Sequence, residues 1–361
     1  MELNLWDFSN ACIATVITIL ICYRFNFSNK ILYLLLFHII LIFVIDAAIP
    51  YAYMGDQYRY FYGAKDFRHI FTSYEVANVY YASMIFAFLP FPVFIESVKS
   101  IAYINYYLYL SMFLFMLFKF KNVEIKHKFK YFYFLYPTLI YYTSFGTRDV
   151  LIMIAMFLFL YAMLVEFSLL IMAFMVLVLI YIKGQNAYLM LISLGFYICL
   201  KIPNRILRFV MSMGYILFIV VLATVSWVEI LHFRAAMFTE DTGLSPLYMP
   251  DWSYMDLYRV LFAPFFFDAR NPMQMIQSCE NLGMVIAIYK LYRYLKKIKV
   301  DLVKIRAMNF FVIISALLYS CVVFNYGTLT RYKFPFIFCW VFIMLLIADK
   351  KTHELNKVKI F

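Results

Sequence analysis

Residues 150–182 read VLIMIAMFLFLYAMLVEFSLLIMAFMVLVLIYI, and Glu166 is the single charged side chain among them. A helix needs about 20 apolar residues to cross the hydrocarbon core of a bilayer, and fewer where aromatic residues mark the interface. The run is long enough for two crossings, which we place at 150–166 and 168–182. This stretch therefore predicts membrane-spanning helices.

The rest of the chain has the same character. Its 361 residues are 66% hydrophobic, 22% aromatic and only 14% charged, with a mean hydropathy of +0.83. Soluble domains are about 45–50% apolar and about 25% charged. We predict an all-α, polytopic membrane protein with about 11 transmembrane helices (range about 10–12), folded as one membrane-embedded domain over residues 1–361. The other apolar runs lie at 5–23, 31–50, 77–118, 131–146, 187–200, 206–230, 257–289, 307–325 and 334–348.

The net charge of +12 does not indicate nucleic-acid binding, because the Lys and Arg residues lie in short clusters between apolar runs. The main clusters are at 119–130, at 290–306 and after Asp349. Basic loops remain in the cytoplasm, so these three segments are expected inside. The N-terminus is then expected outside, together with outer loops near 51–76 and 231–256 and the shorter segments 144–149 and 325–333.

Residues 77–118 are too long for one span and must still make an odd number of crossings. Pro90 and Pro92 divide the run. We expect a short helix at 77–91 that enters the membrane and returns, followed by one full span at 93–118.

The six cysteines are scattered, mostly within apolar segments, and show neither CxxC spacing nor a nearby His at metal-ligand spacing. We therefore expect no disulfide framework, no metal site and no cofactor.

The first outer loop contains Asp56 and Arg59 within a Tyr-rich stretch. A partly desolvated carboxylate there can act as a base or accept a hydrogen bond from a sugar hydroxyl, with Tyr faces for stacking. The alternative is an interfacial aromatic belt with a helix-capping Asp.

Arg148 and Asp149 lie in a short polar turn where the next helix begins. Free N–H groups and a guanidinium at one place suit an anionic phosphate. The alternative is that Asp149 caps the helix and Arg148 extends to the interface beside it.

Two further pairs of cations lie on the side that should be poor in positive charge. Arg331 and Lys333 are two residues apart in an outer segment, where a phosphate-bearing ligand or lipid headgroups would account for them. Arg259 and Arg270 flank an apolar run at 260–267, which implies membrane depth.

His38 and Asp46 are polar residues within a predicted span, eight positions apart and so on roughly one helix face. They are candidates for an ion relay, or simply residues packed near the interface.

Three elements together resemble the bacterial O-antigen or capsular repeat-unit polymerases, the Wzy-type and EpsG-like membrane glycosyltransferases. They are Gly55-Asp56-x-x-x-Tyr60-x-Tyr62, Ser144-Phe145-Gly146-Thr147-Arg148-Asp149 and Asn325-x-Gly327-Thr328-Leu329-x-Arg331-Tyr332-Lys333-Phe334-Pro335. The chain departs from the family pattern at Thr147, where a Leu is usual, and at Lys333, where an Arg is common.

The resemblance implies a GT-C-like fold in the bacterial inner membrane with its active side in the periplasm. It implies transfer of a growing glycan from undecaprenyl diphosphate to the non-reducing end of a lipid-linked repeat unit, and a chain-length regulator membrane protein as a partner. It further implies diphosphate binding and catalysis by outer-side residues. Those expected to bind diphosphate are Arg59, Arg148, Arg259, Arg270, Arg331 and Lys333, and those expected to act as base are Asp56 or Asp149.

Two other functions remain open from the sequence. A flippase or transporter for the same glycolipids would need polar residues along the middle of several spans. Another GT-C-type transferase, such as an O-antigen ligase, would differ only in donor and acceptor.

Overall fold

A computed structural model describes residues 5–48, 55–269, 272–323 and 326–358. Within these ranges the regular structure is helical and contains no strand. The helices are α1 (Leu5–Arg24), α2 (Asn29–Ala48), α3 (Asp56–Ile70), α4 (Ala77–Phe88), α5 (Val98–Lys119), α6 (Val123–Phe134), α7 (Pro137–Thr143), α8 (Asp149–Leu164), α9 (Leu169–Lys201), α10 (Arg205–Thr242), α11 (Tyr254–Phe262), α12 (Pro272–Lys297), α13 (Leu302–Ser320) and α14 (Tyr326–Val358).

Among the described residues, six helices are long and apolar enough to cross a membrane. They are Leu5–Arg24, Val98–Lys119, Leu169–Lys201, Arg205–Thr239, Leu302–Ser320 and Thr328–Asn356. Three shorter apolar helices accompany them, at Asn29–Ile45, Val79–Phe88 and Asp149–Leu164. The helical membrane class is confirmed at this level. Several expected spans take another form, because 131–146 is divided between α6 and α7 whereas 168–182 and 187–200 join in α9.

The two expected outer loops are largely helical. The segment 51–76 contains α3, and α10 continues to Thr242 before Gly243 ends it with a φ of +69°. A left-handed residue after the last helical turn is the usual role of glycine. A short 3-10 helix, Pro246–Tyr248, then precedes α11. Polar composition had suggested loops, but helices satisfy their own backbone hydrogen bonds regardless of side-chain polarity.

The chain divides into two compact units. The first comprises Met1–Lys119, Lys130–Ile154 and Val178–Gly184, and the second comprises Phe120–Phe129, Ala155–Leu177 and Gln185–Phe361.

In the first unit, α1 and α5 run parallel. Near the start of both helices Ser97 donates a hydrogen bond to Asp7, and further along the Thr18 and Tyr106 hydroxyls are 2.6 Å apart. Helix α2 runs antiparallel to them, since Lys99 near the start of α5 donates to the Phe43 carbonyl near the end of α2 (2.8 Å). The starts of α1 and α5 therefore define one end of this unit.

The break between α4 and α5 lies at that same end. Asn10 of α1 donates to the Phe94 carbonyl at 2.9 Å. Helix α4 has 12 residues, about 18 Å at 1.5 Å per residue, which is too short to cross the hydrocarbon core by itself. The expected division of 77–118 at the two prolines into a short helix and one span-length helix is confirmed.

Arg68 of α3 holds this break in place. Its guanidinium donates to four backbone carbonyls at 2.8–3.1 Å, those of Ala87, Leu89, Pro92 and Val93. These carbonyls lie in the last turn of α4 or beyond it, where no helical partner is available. One side chain thus satisfies four carbonyls at this break.

In the second unit the three basic clusters meet. Asp349 of α14 accepts hydrogen bonds from the backbone N–H groups of Lys121 and Asn122, at 2.9 and 2.7 Å. Lys128 lies over the Tyr294 ring, and the Tyr294 hydroxyl is 3.2 Å from that of Thr352. Segments that the charge pattern assigned to one side of the membrane therefore share one end of this unit.

The opposite end of α13 is held by Arg234 of α10. Arg234 is buried and donates to the carbonyls of Cys321 and Pro250 at 2.7 and 2.8 Å. The Trp252 indole donates to the Ser320 hydroxyl at 3.0 Å.

Candidate functional site

The first two motif elements meet in the first unit. Gln57, next to Asp56 in the first turn of α3, accepts a hydrogen bond through Oε1 from the Gly146 N–H at 2.9 Å. Gln57 is 2% exposed, so this bond is made in the interior. The sequence elements around Asp56 and Arg148 are separated by about 90 positions and yet are in direct contact.

Asn105 of α5 fixes the turn between α7 and α8. Its side-chain amide donates to the Phe145 carbonyl at 2.6 Å and to the Thr147 carbonyl at 2.8 Å. A Cβ at Gly146 would lie 3.0 Å from the Ile101 Cβ, so any other residue would require Ile101 to move by a few tenths of an ångström. The turn therefore packs on the first part of α5, towards the end where α1 and α5 begin.

Arg148 and Asp149 follow directly. Asp149 is 2% exposed and is the first residue of α8, while Arg148 is half-buried. Arg148 Nη1 donates to the Ile182 carbonyl at 2.9 Å. Guanidinium carries five N–H donors, so this bond leaves most of its donor capacity for another acceptor.

The carbonyl that Arg148 contacts precedes an interruption in α9. Lys183 has non-helical angles, φ −161° and ψ 86°, and is 9% exposed. The apolar runs at 168–182 and 187–200 predict two spans joined at this point. The structure instead has a kinked continuous helix whose first part ends against Arg148.

Asp56 and Arg59 lie on α3 beside this contact. Asp56 is half-buried, and Arg59 forms an ion pair with Glu75 at 3.0 Å while its side chain stays 45% exposed. An exposed ion pair of this kind is weak. Arg59 is therefore accessible, although it is already partly neutralised.

In the second unit, Arg259 pairs with Asp256 on α11. They are one turn apart on α11, with Arg259 Nη1 3.4 Å from Asp256 Oδ1, and the Arg259 side chain is 60% exposed. Asp256 also closes a capping box with Ser253. This acid fixes the start of α11 and leaves Arg259 facing outward.

Lys333 is buried in the second unit, where it makes hydrogen bonds to protein groups. It is 6% exposed, and its ammonium donates to Asn281 Oδ1 at 2.7 Å and to the Ala263 carbonyl at 3.2 Å. Asn281 in turn donates to the Phe262 and Ala263 carbonyls, each at 3.0 Å. Together these two side chains order the end of α11, and no local pattern in the sequence marks Asn281 as part of this contact.

Arg331 is half-buried on the same helix. Residues 326–333 were expected to be an outer loop, but α14 begins at Tyr326. In a helix, residues two apart are rotated by about 200° and point in different directions. Arg331 and Lys333 therefore do not form one paired site.

Two predicted residues fall outside what the structure describes, namely Arg270 and the side chain of Asp46. His38 is 2% exposed, contacts the Tyr106 and Tyr109 rings edge-on, and has Nε2 3.2 Å from the Thr143 hydroxyl. These contacts are those of a packed core residue.

The predicted site residues thus fall into two sets by unit, which we call the first cluster (Asp56, Arg59, Arg148 and Asp149) and the second cluster (Arg259, Arg331 and Lys333). Within the part of the chain that is described, no group of three or more His, Cys, Asp or Glu side chains is placed to hold a metal ion. Comparison of the chain with protein-family models, curated proteins and solved structures finds no match.

Proposed function

We propose that this protein is a GT-C-like membrane glycosyltransferase that polymerises lipid-linked repeat units, crossing a bacterial inner membrane about 11 times with its active side in the periplasm. The growing glycan would leave undecaprenyl diphosphate and attach to the non-reducing end of the next lipid-linked unit. A chain-length regulator would act with it.

The observation that carries this proposal is the Gln57–Gly146 hydrogen bond. It joins the start of α3, which carries the half-buried Asp56, to the turn that carries the half-buried Arg148 at the N-terminus of α8. A helix N-terminus and a guanidinium both favour a phosphate oxygen. The pairing of a proton acceptor with an anion site is what transfer from a lipid diphosphate requires.

In the proposed reaction an acceptor sugar hydroxyl attacks the anomeric carbon of the donor. The bond from that carbon to the diphosphate oxygen breaks, and the hydroxyl proton passes to a carboxylate. Asp56 suits the base role better than Asp149, because Asp56 is half-buried and Asp149 is 2% exposed. Arg148 would neutralise the charge that grows on the leaving diphosphate.

The second cluster would serve the other lipid-linked substrate. Arg259 is the most exposed of its cations and Arg331 is half-buried, so these two, with Arg270, would contact a diphosphate. Lys333 is committed to Asn281 and the Ala263 carbonyl and would position the end of α11. Arg59 would add a weaker contact in the first cluster.

A second candidate function is transport of the same lipid-linked glycans. The break in α9 at the buried Lys183 favours it, since discontinuous helices with polar residues at the break mark substrate sites in transporters. The two functions make opposite predictions for where single repeat units accumulate.

The test uses cells that lack the chromosomal copy and carry Arg148→Ala, Arg331→Ala or a control. Arg208→Ala is the matched control, because Arg208 also donates to backbone carbonyls but belongs to none of the three motif elements. Polymerase function predicts loss of long surface glycans with single units still displayed for Arg148→Ala and Arg331→Ala. A normal ladder with both variants would overturn the site, and absence of even single units in the deletion strain would favour transport.

A further inference from the structure

A charged cavity of about 220 Å³ lies in the second unit, at the end where the basic clusters meet. It is formed where α8 has just ended, α13 begins and the apolar part of α14 ends. Its apolar wall consists of Val165, Val300 and Ile347. The volume is many times the 10–15 Å³ that a single water needs, so the cavity can hold a group much larger than one water molecule.

Lys304 is the cation of this cavity that is not committed to a partner. It is half-buried, and within the described chain it forms no ion pair or hydrogen bond. The charged groups whose fields reach it are Lys350, Lys201, Asp301 and Glu354. A half-buried ammonium next to other ammonium groups is costly unless an anion compensates it.

The acids of the cavity are already used by the fold. Asp301 caps α13 by accepting from the Val303 N–H at 2.9 Å, and Glu354 pairs with Lys351 at 3.8 Å. Lys350 donates to the Val165 carbonyl at 3.2 Å, which points its ammonium across the cavity towards the end of α8. Lys304 and Lys350 are therefore the groups from which an anion would gain most.

We propose that this cavity binds the phosphate group of an anionic membrane lipid, with Lys304 and Lys350 as its principal contacts. The phosphate compensates the two ammonium groups, and the apolar wall receives the first carbons of the lipid. Basic pockets between helices at the cytoplasmic boundary have this preference. The site lies at the opposite end of α13 from Arg234 and is independent of glycosyl transfer.

The experiment measures lipid binding by the purified full chain in neutral detergent, by native mass spectrometry and thermal unfolding. Phosphatidylglycerol, phosphatidylcholine and inorganic phosphate are compared for the wild type, Lys304→Gln and Lys304→Gln/Lys350→Gln. We expect phosphatidylglycerol to bind and to raise the unfolding temperature, with affinity falling about fivefold for each lysine removed. Lys304→Arg, which keeps the charge, should retain binding.

Lys128→Gln is the matched control, because Lys128 belongs to the same group of basic clusters but is exposed and paired with Glu124. Equal binding of phosphatidylglycerol by wild type and the double variant would overturn the site. So would equal stabilisation by phosphatidylcholine, or an equal loss in Lys128→Gln. Stabilisation by millimolar inorganic phosphate without any by phosphatidylglycerol would overturn the lipid as the source of the phosphate.

Discussion

Asn105→Ala should disorder the Arg148 turn without touching any charged residue. The substitution removes the hydrogen bonds at 2.6 and 2.8 Å to the carbonyls of Phe145 and Thr147. Both bonds are buried, and a buried acceptor left unsatisfied costs about 1–3 kcal/mol. The two acceptors together would cost about 2–6 kcal/mol. We expect the free energy of unfolding to fall by about 3 kcal/mol, in the lower half of this range, because the shorter side chain leaves room for water.

Two substitutions at this position separate hydrogen bonding from packing. Asn105→Ala should lower the unfolding temperature of the purified 361-residue protein by about 4 °C, at about 1.3 °C per kcal/mol. Asn105→Asp nearly preserves the shape but places carboxylate oxygens against the two carbonyls, so it should be more harmful than Ala. Both variants should lose long-chain glycan, because the turn carries Arg148.

Asn204→Ala is the control for this experiment. Asn204 caps α10 at the surface by accepting from two backbone N–H groups, and it lies outside both clusters. Losing an N-cap costs about 1 kcal/mol, so the unfolding temperature should fall by only about 1 °C with a normal glycan ladder. The reasoning fails if Asn105→Asp is milder than Asn105→Ala, or if Asn105→Ala unfolds at the wild-type temperature.

Three further outcomes are expected. Arg68→Ala leaves four carbonyls at the α4–α5 break without their donor and should increase protease cleavage there. Arg68→Lys should protect the break partly. Unchanged cleavage in both variants would contradict the role of Arg68 in holding the break. Asp349→Ala removes two charge-assisted bonds to backbone N–H groups and should cost about 3–5 kcal/mol by thermal unfolding, more than Asp349→Asn. In a protein freed of its native cysteines, a cysteine at Gly327 should react with an impermeant thiol reagent from outside and one at Lys126 should not. The opposite labelling would show that the topology is reversed.

The sequence predicts the helical class and several breaks, because these depend on local composition. The division near Pro90 and Pro92 is an example, since proline restricts its own backbone and that of the preceding residue. Polarity was a poorer guide to loops. Residues 326–333 are helical although two cations occupy them, because Arg and Lys are good helix formers and their charge says nothing against a helix.

Contacts between distant segments account for what the sequence could not predict. Asn105 is visible as a polar residue within an apolar run, but nothing local identifies the turn 40 positions later as its partner. The kink in α9 likewise lies directly after the Ile182 carbonyl, which accepts a hydrogen bond from the distant Arg148. Such partners are fixed only when the helices pack.

These contacts show a second use for cations on the expected outer side, which is to satisfy backbone carbonyls at the ends of helices. Arg234 and Lys333 donate to carbonyls at the ends of helices, where the backbone has no helical partner, as Arg68 does in the first unit. In a lipid environment such carbonyls must be satisfied by the protein, so a cation outside does not by itself indicate a bound phosphate. Arg148, which uses one of its five N–H donors on the Ile182 carbonyl, and the exposed Arg259 retain capacity for a ligand. Capacity left over after the backbone is satisfied, rather than position on the outer side, therefore ranks these two above Lys333 as diphosphate ligands.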